Sequence, residues 1–137
     1  MPYLNVRLGG QPLDDASRQA LLARLTDLME TVMAKQREVT VVSLDETPTR
    51  RWAAGGRPLA AAARMAQVEV KITRGTNDAD DKQRLIGKIT AALMDIAGDA
   101  AGPIYVVIDE VPADSWGYDG LSQAERKRAM ARVWPYY

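Results

Sequence analysis

Residues 45–56, DETPTRRWAAGG, return at residues 109–120 as DEVPADSWGYDG. Asp45, Glu46, Pro48, Trp52 and Gly56 fall on Asp109, Glu110, Pro112, Trp116 and Gly120 at one gapless offset of 64 residues. Agreement in apolar type alone is cheap, but a single offset that aligns Trp, Pro and Gly marks a duplication. The same offset holds outward from this stretch. Leu4, Val6 and Leu8 fall on Val68, Val70 and Ile72, and Leu25, Met29 and Val32 on Ile89, Leu93 and Ile96. Val42 and Leu44 fall on Val106 and Ile108.

Each copy reads as strand, helix, strand. Residues 3–8 alternate, with Leu4, Val6 and Leu8 on one face, the period of a half-buried strand. Asp14 and Asp78 stand where helix N-caps are expected. Behind them Leu21, Leu22, Leu25, Leu28, Met29 and Val32 recur at helical spacing, as do Leu85, Ile86, Ile89, Leu93 and Ile96. Second strands are expected over 39–44 and 104–108. The acid–Pro–Trp–Gly stretch then reads as a turn or short hairpin, with Asp45, Glu46, Asp109 and Glu110 capping it after the strand ends.

A strand–helix–strand unit implies parallel strands joined by a right-handed crossover. Two units predict a single α/β domain over 1–137, a four-stranded sheet with both helices on one face. The repeats span 2–60 and 66–127, RPLAAAARMA (57–66) links them, and 128–137 form a C-terminal tail. LSQAERKRAMARVWPYY predicts a short polar helix ending in Trp134, Pro135, Tyr136 and Tyr137. The second face of the sheet is expected to carry an apolar stripe of its own, to be covered by further copies of the chain.

Composition removes several functions. Lys plus Arg equals Asp plus Glu, 18 each, and no basic block stands out, so neither nucleic acid nor a membrane surface is an expected partner. No apolar run reaches membrane-spanning length, and the N-terminus reads as free of a secretory signal. Cysteine is absent, which fits a reducing, cytoplasmic setting. Histidine is absent too, so the usual metal sites lose their preferred ligands and Ser-His or Cys-His nucleophiles cannot form. No metal or other cofactor is expected. Acid–base chemistry near neutral pH must then come from a perturbed carboxylate or lysine, or from an α-amino group. The chain opens MPYLNVRLGG, and a small second residue lets an aminopeptidase remove Met1. Pro2 would then carry a free secondary amine.

A strand–helix–strand unit that starts at Pro2, ends in a Trp/Gly hairpin and is tandemly duplicated resembles the tautomerase superfamily, and within it the fused forms of 4-oxalocrotonate tautomerase. PYLNVRL (2–8), VVIDEVP (106–112), WAAGG (52–56) and WGYDG (116–120) carry the resemblance, which runs from Pro2 to about Gly120. It implies the tautomerase/MIF-like fold and, for double-length members, a homotrimer. It further implies a cofactor-independent isomerase acting on small 2-oxo, enol or unsaturated carboxylates. In such enzymes the N-terminal proline is the general base, or the general acid in hydrating and dehalogenating relatives.

Carried onto this chain, Pro2 is the catalytic candidate, and Ala66 stands opposite it in the second copy without a free amine. Arg74, at the end of the second copy's first strand, is the candidate contact for a substrate carboxylate. Trp52 and Trp116 hold the pocket-aromatic position, and Arg51, beside Arg50 and Arg57, flanks Trp52. Val41, Tyr105, Leu13 and Asn77 stand where the shortest relatives place arginines. That departure turns expectation away from the diacid 4-oxalocrotonate and leaves Tyr105 as a hydrogen-bond donor to a carbonyl. Three readings follow: an isomerase, a hydratase or dehalogenase using protonated Pro2, and a non-catalytic trimeric binding or assembly protein.

Overall fold

The computed structural model describes residues 2–133, the last two of them by backbone alone. Met1 and the expected aromatic ending Trp134 to Tyr137 lie outside the described residues. In chain order, β1 (Tyr3–Gly9), α1 (Asp15–Thr31) and β2 (Val41–Thr47) form the first unit, closed by the two-residue strands β3 (Ala53–Ala54) and β4 (Arg57–Pro58). The second unit repeats this as β5 (Met65–Thr73), α2 (Ala79–Ala97), β6 (Tyr105–Val111), β7 (Gly117–Tyr118) and β8 (Leu121–Ser122). A last helix, α3 (Gln123–Val133), follows directly.

The helices start at the expected caps. The Asp14 carboxylate accepts the Ser17 N–H at 2.7 Å, and that of Asp78 accepts the Asp81 N–H at 2.8 Å. Asp81 returns the favour by accepting the Asp78 N–H, which closes a capping box. The main sheet runs β2-β1-β5-β6, parallel within each unit and antiparallel where β1 meets β5. Along that seam Tyr3 faces Lys71, Asn5 faces Glu69 and Gly9 faces Met65. Asn5 and Glu69 are the same position of the two copies, so a local two-fold passes between them.

The core lies between the sheet and both helices. Leu21, Leu25 and Met29 of α1 and Leu85, Ile89 and Leu93 of α2 are buried against Leu4, Val6 and Leu8 of β1 and Val68, Val70 and Ile72 of β5. The opposite face corrects the expected second apolar stripe. Strand alternation sends Asn5, Arg7, Ser43, Gln67, Glu69, Lys71 and Asp109 there. Its exposed apolar groups are Tyr3, Val41, Tyr105 and Val107. The apolar side chains of each strand are spent on the helix side.

The strands also run through the acids, which therefore do not cap a turn. Pairing continues to Gly9 with Thr47 and to Thr73 with Val111. Strand alternation turns Glu46 and Glu110 toward the helices, where each meets a cation from the first turn of its own unit's helix. The Glu46 carboxylate accepts from the Arg18 guanidinium at 2.8 Å and from the Leu13 N–H at 2.7 Å. Glu110 accepts from Lys82 at 2.7 Å, and Lys82 is the counterpart of Arg18. Burial pushes the Glu46 carboxyl upward, but the hydrogen bonds from Arg18 and Leu13 outweigh it and hold the group below the ordinary carboxylate value.

Two outcomes follow for stability. Leu25→Ala opens a cavity in the centre of the core and is expected to cost about 2–5 kcal/mol in denaturant unfolding. Because the folded-state value of Glu46 is depressed, its contribution is present above the ordinary carboxylate range and lost as pH falls through the lowered value. Glu46→Gln should therefore lower stability near neutral pH and flatten its decline in acid, read from unfolding midpoints across the acid range.

Candidate active site

Pro2 immediately precedes β1. A proline fits the start of a strand because the ladder there requires no N–H from it, and its carbonyl accepts from the Val41 N–H at 3.4 Å. The residue is buried at the margin of a cavity of about 480 Å³. Tyr3, Val41 and Lys71 border this space from β1, β2 and β5, Glu38 from the approach to β2, and Trp116, Tyr118 and Asp119 from the β7–β8 hairpin.

That hairpin turns through Asp119 and Gly120, at φ 51° and 83°, and the β3–β4 hairpin through Gly55 and Gly56, at 60° and 76°. Positive φ at both central residues is the tight turn whose twist suits paired strands, and Asp-Gly and Gly-Gly are the sequences that tolerate it. Each tryptophan before a hairpin is anchored through its indole N–H. Trp52 donates to the Thr47 hydroxyl at 2.7 Å, and Trp116 donates to that of Thr73 at 3.1 Å. These threonines are not counterparts: Thr47 lies on the second strand of its unit and Thr73 on the first. Opposite Thr47 stands Gly9, and a Cβ on Gly9 would come within 2.6 Å of the Trp52 ring nitrogen. The acceptor has changed strand while the ring has kept its place.

The structure brings Pro2 and Trp116 together and sets the other sequence candidates elsewhere in the chain. Ala66 lies opposite Leu8, six residues along β1 from Pro2, or about 20 Å at the rise of an extended strand. Trp52 and Arg51 belong to that far end, where Arg7 sits 5.7 Å from the centre of the Trp52 ring. Tyr105, level with Gln67 and Arg7 on the outer strand β6, is exposed on the helix-free face. Arg74 follows β5, its N–H bonded to the Val111 carbonyl at 2.9 Å, and it borders a neighbouring cavity rather than that of Pro2.

Lys71, Glu38, Tyr118 and Asp119 were not singled out by sequence. The signal for the last two was contrast between copies, since Tyr118 and Asp119 replace Ala54 and Gly55. At the counterpart of the Pro2 cavity small residues meet instead: Ala66 is buried, and Ala54 and Met65 both come within 3.3 Å of where a Gly102 side chain would begin. Lys71 donates to the Asp109 carboxylate at 2.9 Å, and that bond raises its affinity for its proton, so it brings a fixed positive charge to the cavity. Among the described residues no cluster of three or more acids, histidines or cysteines is set to hold a metal, and no helix is long and apolar enough to cross a membrane.

Known proteins resemble the chain in the same two-part way. A family model described as "Tautomerase enzyme" matches residues 2–62 and again 67–128. A curated relative, "Probable tautomerase K2" of Dickeya dadantii (strain 3937), is 38% identical over 64 residues, which is 47% of this chain and 96% of that protein. Among solved structures, a fused 4-OT named Q0, described as a symmetric trimer, superimposes with a TM-score of 0.79 at 26% identity, covering 89% of this chain and 96% of its own. Pt0534, solved after inactivation by 2-oxo-3-pentynoate, shares the fold at a TM-score of 0.80 and 17% identity, covering 90% of this chain and 98% of its own.

The threonine anchors give a direct test of the site's construction. Thr73→Val removes the acceptor of the Trp116 indole with little change in shape, at an expected cost of about 1 kcal/mol. Tryptophan fluorescence of Thr73→Val in a Trp52→Phe background should change on addition of a ligand to the Pro2 cavity less than in the unmodified background. Thr47→Val should leave that response intact.

Proposed function

Because the chain belongs to the tautomerase family, we propose that it is a cofactor-independent isomerase that moves a proton on a small 2-oxo, enol or unsaturated carboxylate, with Pro2 as its general base. The observation that carries this reading is the burial of Pro2 beside a cavity walled by Trp116 and Tyr118. Removal of Met1 makes the Pro2 nitrogen a secondary amine. Burial disfavours its protonated form, which is the direction a base requires, while Lys71 and the carboxylates of Glu38 and Asp119 around the cavity act in opposite senses. Pro2 then takes a proton from the enol hydroxyl and returns one to carbon, with no net change in substrate composition. The aromatic walls keep competing water out, and Lys71, the cation that borders this cavity, is assigned to the substrate carboxylate in place of Arg74, which borders the neighbouring one.

The solved fused 4-OT described as a trimer supports a homotrimer here as well. Exposed Val41, Tyr105 and Val107 on the outer strands are where copies would meet, which would bring Tyr105 and the far-end groups Trp52 and Arg51 toward a neighbouring cavity.

A second reading has its own observation. The carboxylates of Glu38 and Asp119 border the same cavity. One of them could activate water for addition to a carbon–carbon double bond, hydroxide going to one carbon and the Pro2 proton to the other. The two readings part in their pH dependence: the isomerase rate rises with pH as the amine loses its proton, and the hydratase rate falls.

The deciding experiment is enol-to-keto conversion of phenylenolpyruvate by protein whose loss of Met1 is verified by intact mass. Pro2→Ala is expected to lower the rate about 10²–10⁴-fold. Labelling by 2-oxo-3-pentynoate, the reagent that inactivated Pt0534, should fall on residue 2 and disappear in the variant. Equal, slow rates in both proteins would overturn the isomerase and leave the hydratase or a non-catalytic scaffold.

A further inference from the structure

A second cavity, of about 490 Å³, lies under α3 at the same end of the sheet as Pro2. Its lining contains four cations, Lys35, Arg74, Arg126 and Lys127, and no carboxylate. Among the described residues none of the four is in an ion pair, although Arg18, Arg24, Arg37, Lys71, Lys82, Arg84 and Arg128 all are. Like charges left facing one space repel one another, so such a cluster loses stability unless an anion enters it.

Two of the four cations are held in place. The chain leaves α1 through the left-handed region at Ala34, φ 56°, and Lys35 then donates to the Thr76 hydroxyl at 2.7 Å. Burial lowers the lysine's hold on its proton, against the partial support of Asp81. α3 is fixed by backbone bonds from Gln123 to Trp116 and from Ala124 to Ala113. The Arg126 guanidinium carbon lies 3.8 Å from the centre of the Tyr118 ring, and Nη2 donates to the Tyr118 carbonyl at 2.7 Å. Its Nε is buried without a partner, the one such side-chain atom among the described residues. With one N–H lacking a protein partner and no carboxylate beside it, this guanidinium keeps its full charge at a cation-lined cavity, where an anion is favoured.

We propose that the cavity under α3 binds a compact small-molecule polyanion, its acid groups held by Lys35, Arg126 and Lys127 with Arg74 at the border. The unpaired charges call for a ligand carrying at least two negative charges, and Ala113 and Met130 offer a short carbon body something to pack on. Phosphoryl and carboxyl groups satisfy these donors alike. Tyr118 borders the Pro2 cavity and carries the Arg126 stack, so an occupant is also in mechanical contact with the wall of the other cavity. This inference stands on the cation cluster and does not require Pro2 to be catalytic.

The test is titration calorimetry of the full chain with pyrophosphate and, separately, tricarballylate. Saturable binding of at least one is expected, weakened about tenfold by Arg126→Gln and again by Lys127→Gln, and unchanged in Pro2→Ala. Tighter pyrophosphate would assign phosphoryl ligands, and tighter tricarballylate polycarboxylates. Lys127 is exposed, so its variant remains informative even where Arg126→Gln disturbs α3. Absence of saturable binding, equal affinity in wild type and both cation variants, or loss of binding in Pro2→Ala would overturn the proposal.

Discussion

The antiparallel seam between β1 and β5 is the constraint on which the rest of the molecule depends. Each strand–helix–strand unit is parallel inside, and the two are joined into one sheet around a shared two-fold by setting β1 against β5. The register then fixes everything downstream. Asn5 meets Glu69 on the axis, so the start of β1 lies beside the end of β5, and Pro2 meets groups delivered by the second copy. Neither half could build the cavity alone: the proline comes from one and the tryptophan hairpin from the other.

The same symmetry shows how the far end of the sheet differs among the described residues. The two-fold carries Pro2 onto Ala66, Tyr118 onto Ala54 and Asp119 onto Gly55. With a continuous backbone through Ala66, no amine exists at the far end, and smaller side chains have let Met65 and Ala54 close in against Gly102. The two ends thus share a scaffold but present different side chains on it.

Much of this was legible in the sequence because it depends on local patterns: the period-2 runs of β1 and β5, the aspartate caps, the Gly-Gly and Asp-Gly turns. What escaped depends on partners far away in the chain. Glu46 and Glu110 each stand two residues before a proline and looked like turn caps, whereas Arg18 and Lys82, 28 residues earlier in each copy, let them remain inside strands. The helix-free face is less apolar than expected because alternation sends Val42, Leu44, Val106 and Ile108 of the outer strands to the helix side. Arg74 was placed correctly at the end of β5, yet which cavity it borders is decided by α3, a helix the duplication does not predict. Lys71 could not be found by contrast between copies, because Arg7 at the equivalent place is also a cation.

The exchange of threonine between strands has an evolutionary consequence. Tandem copies invite gene conversion, in which a tract of one overwrites the other. A tract covering a whole copy would carry the ring together with its acceptor. A tract beginning within the helix and overwriting Thr47 with the valine of the second copy would leave Trp52 between Gly9 and an aliphatic side chain, its N–H stranded. The hydroxyl's change of strand therefore puts a structural cost on any tract that carries one of the two threonine positions without the other.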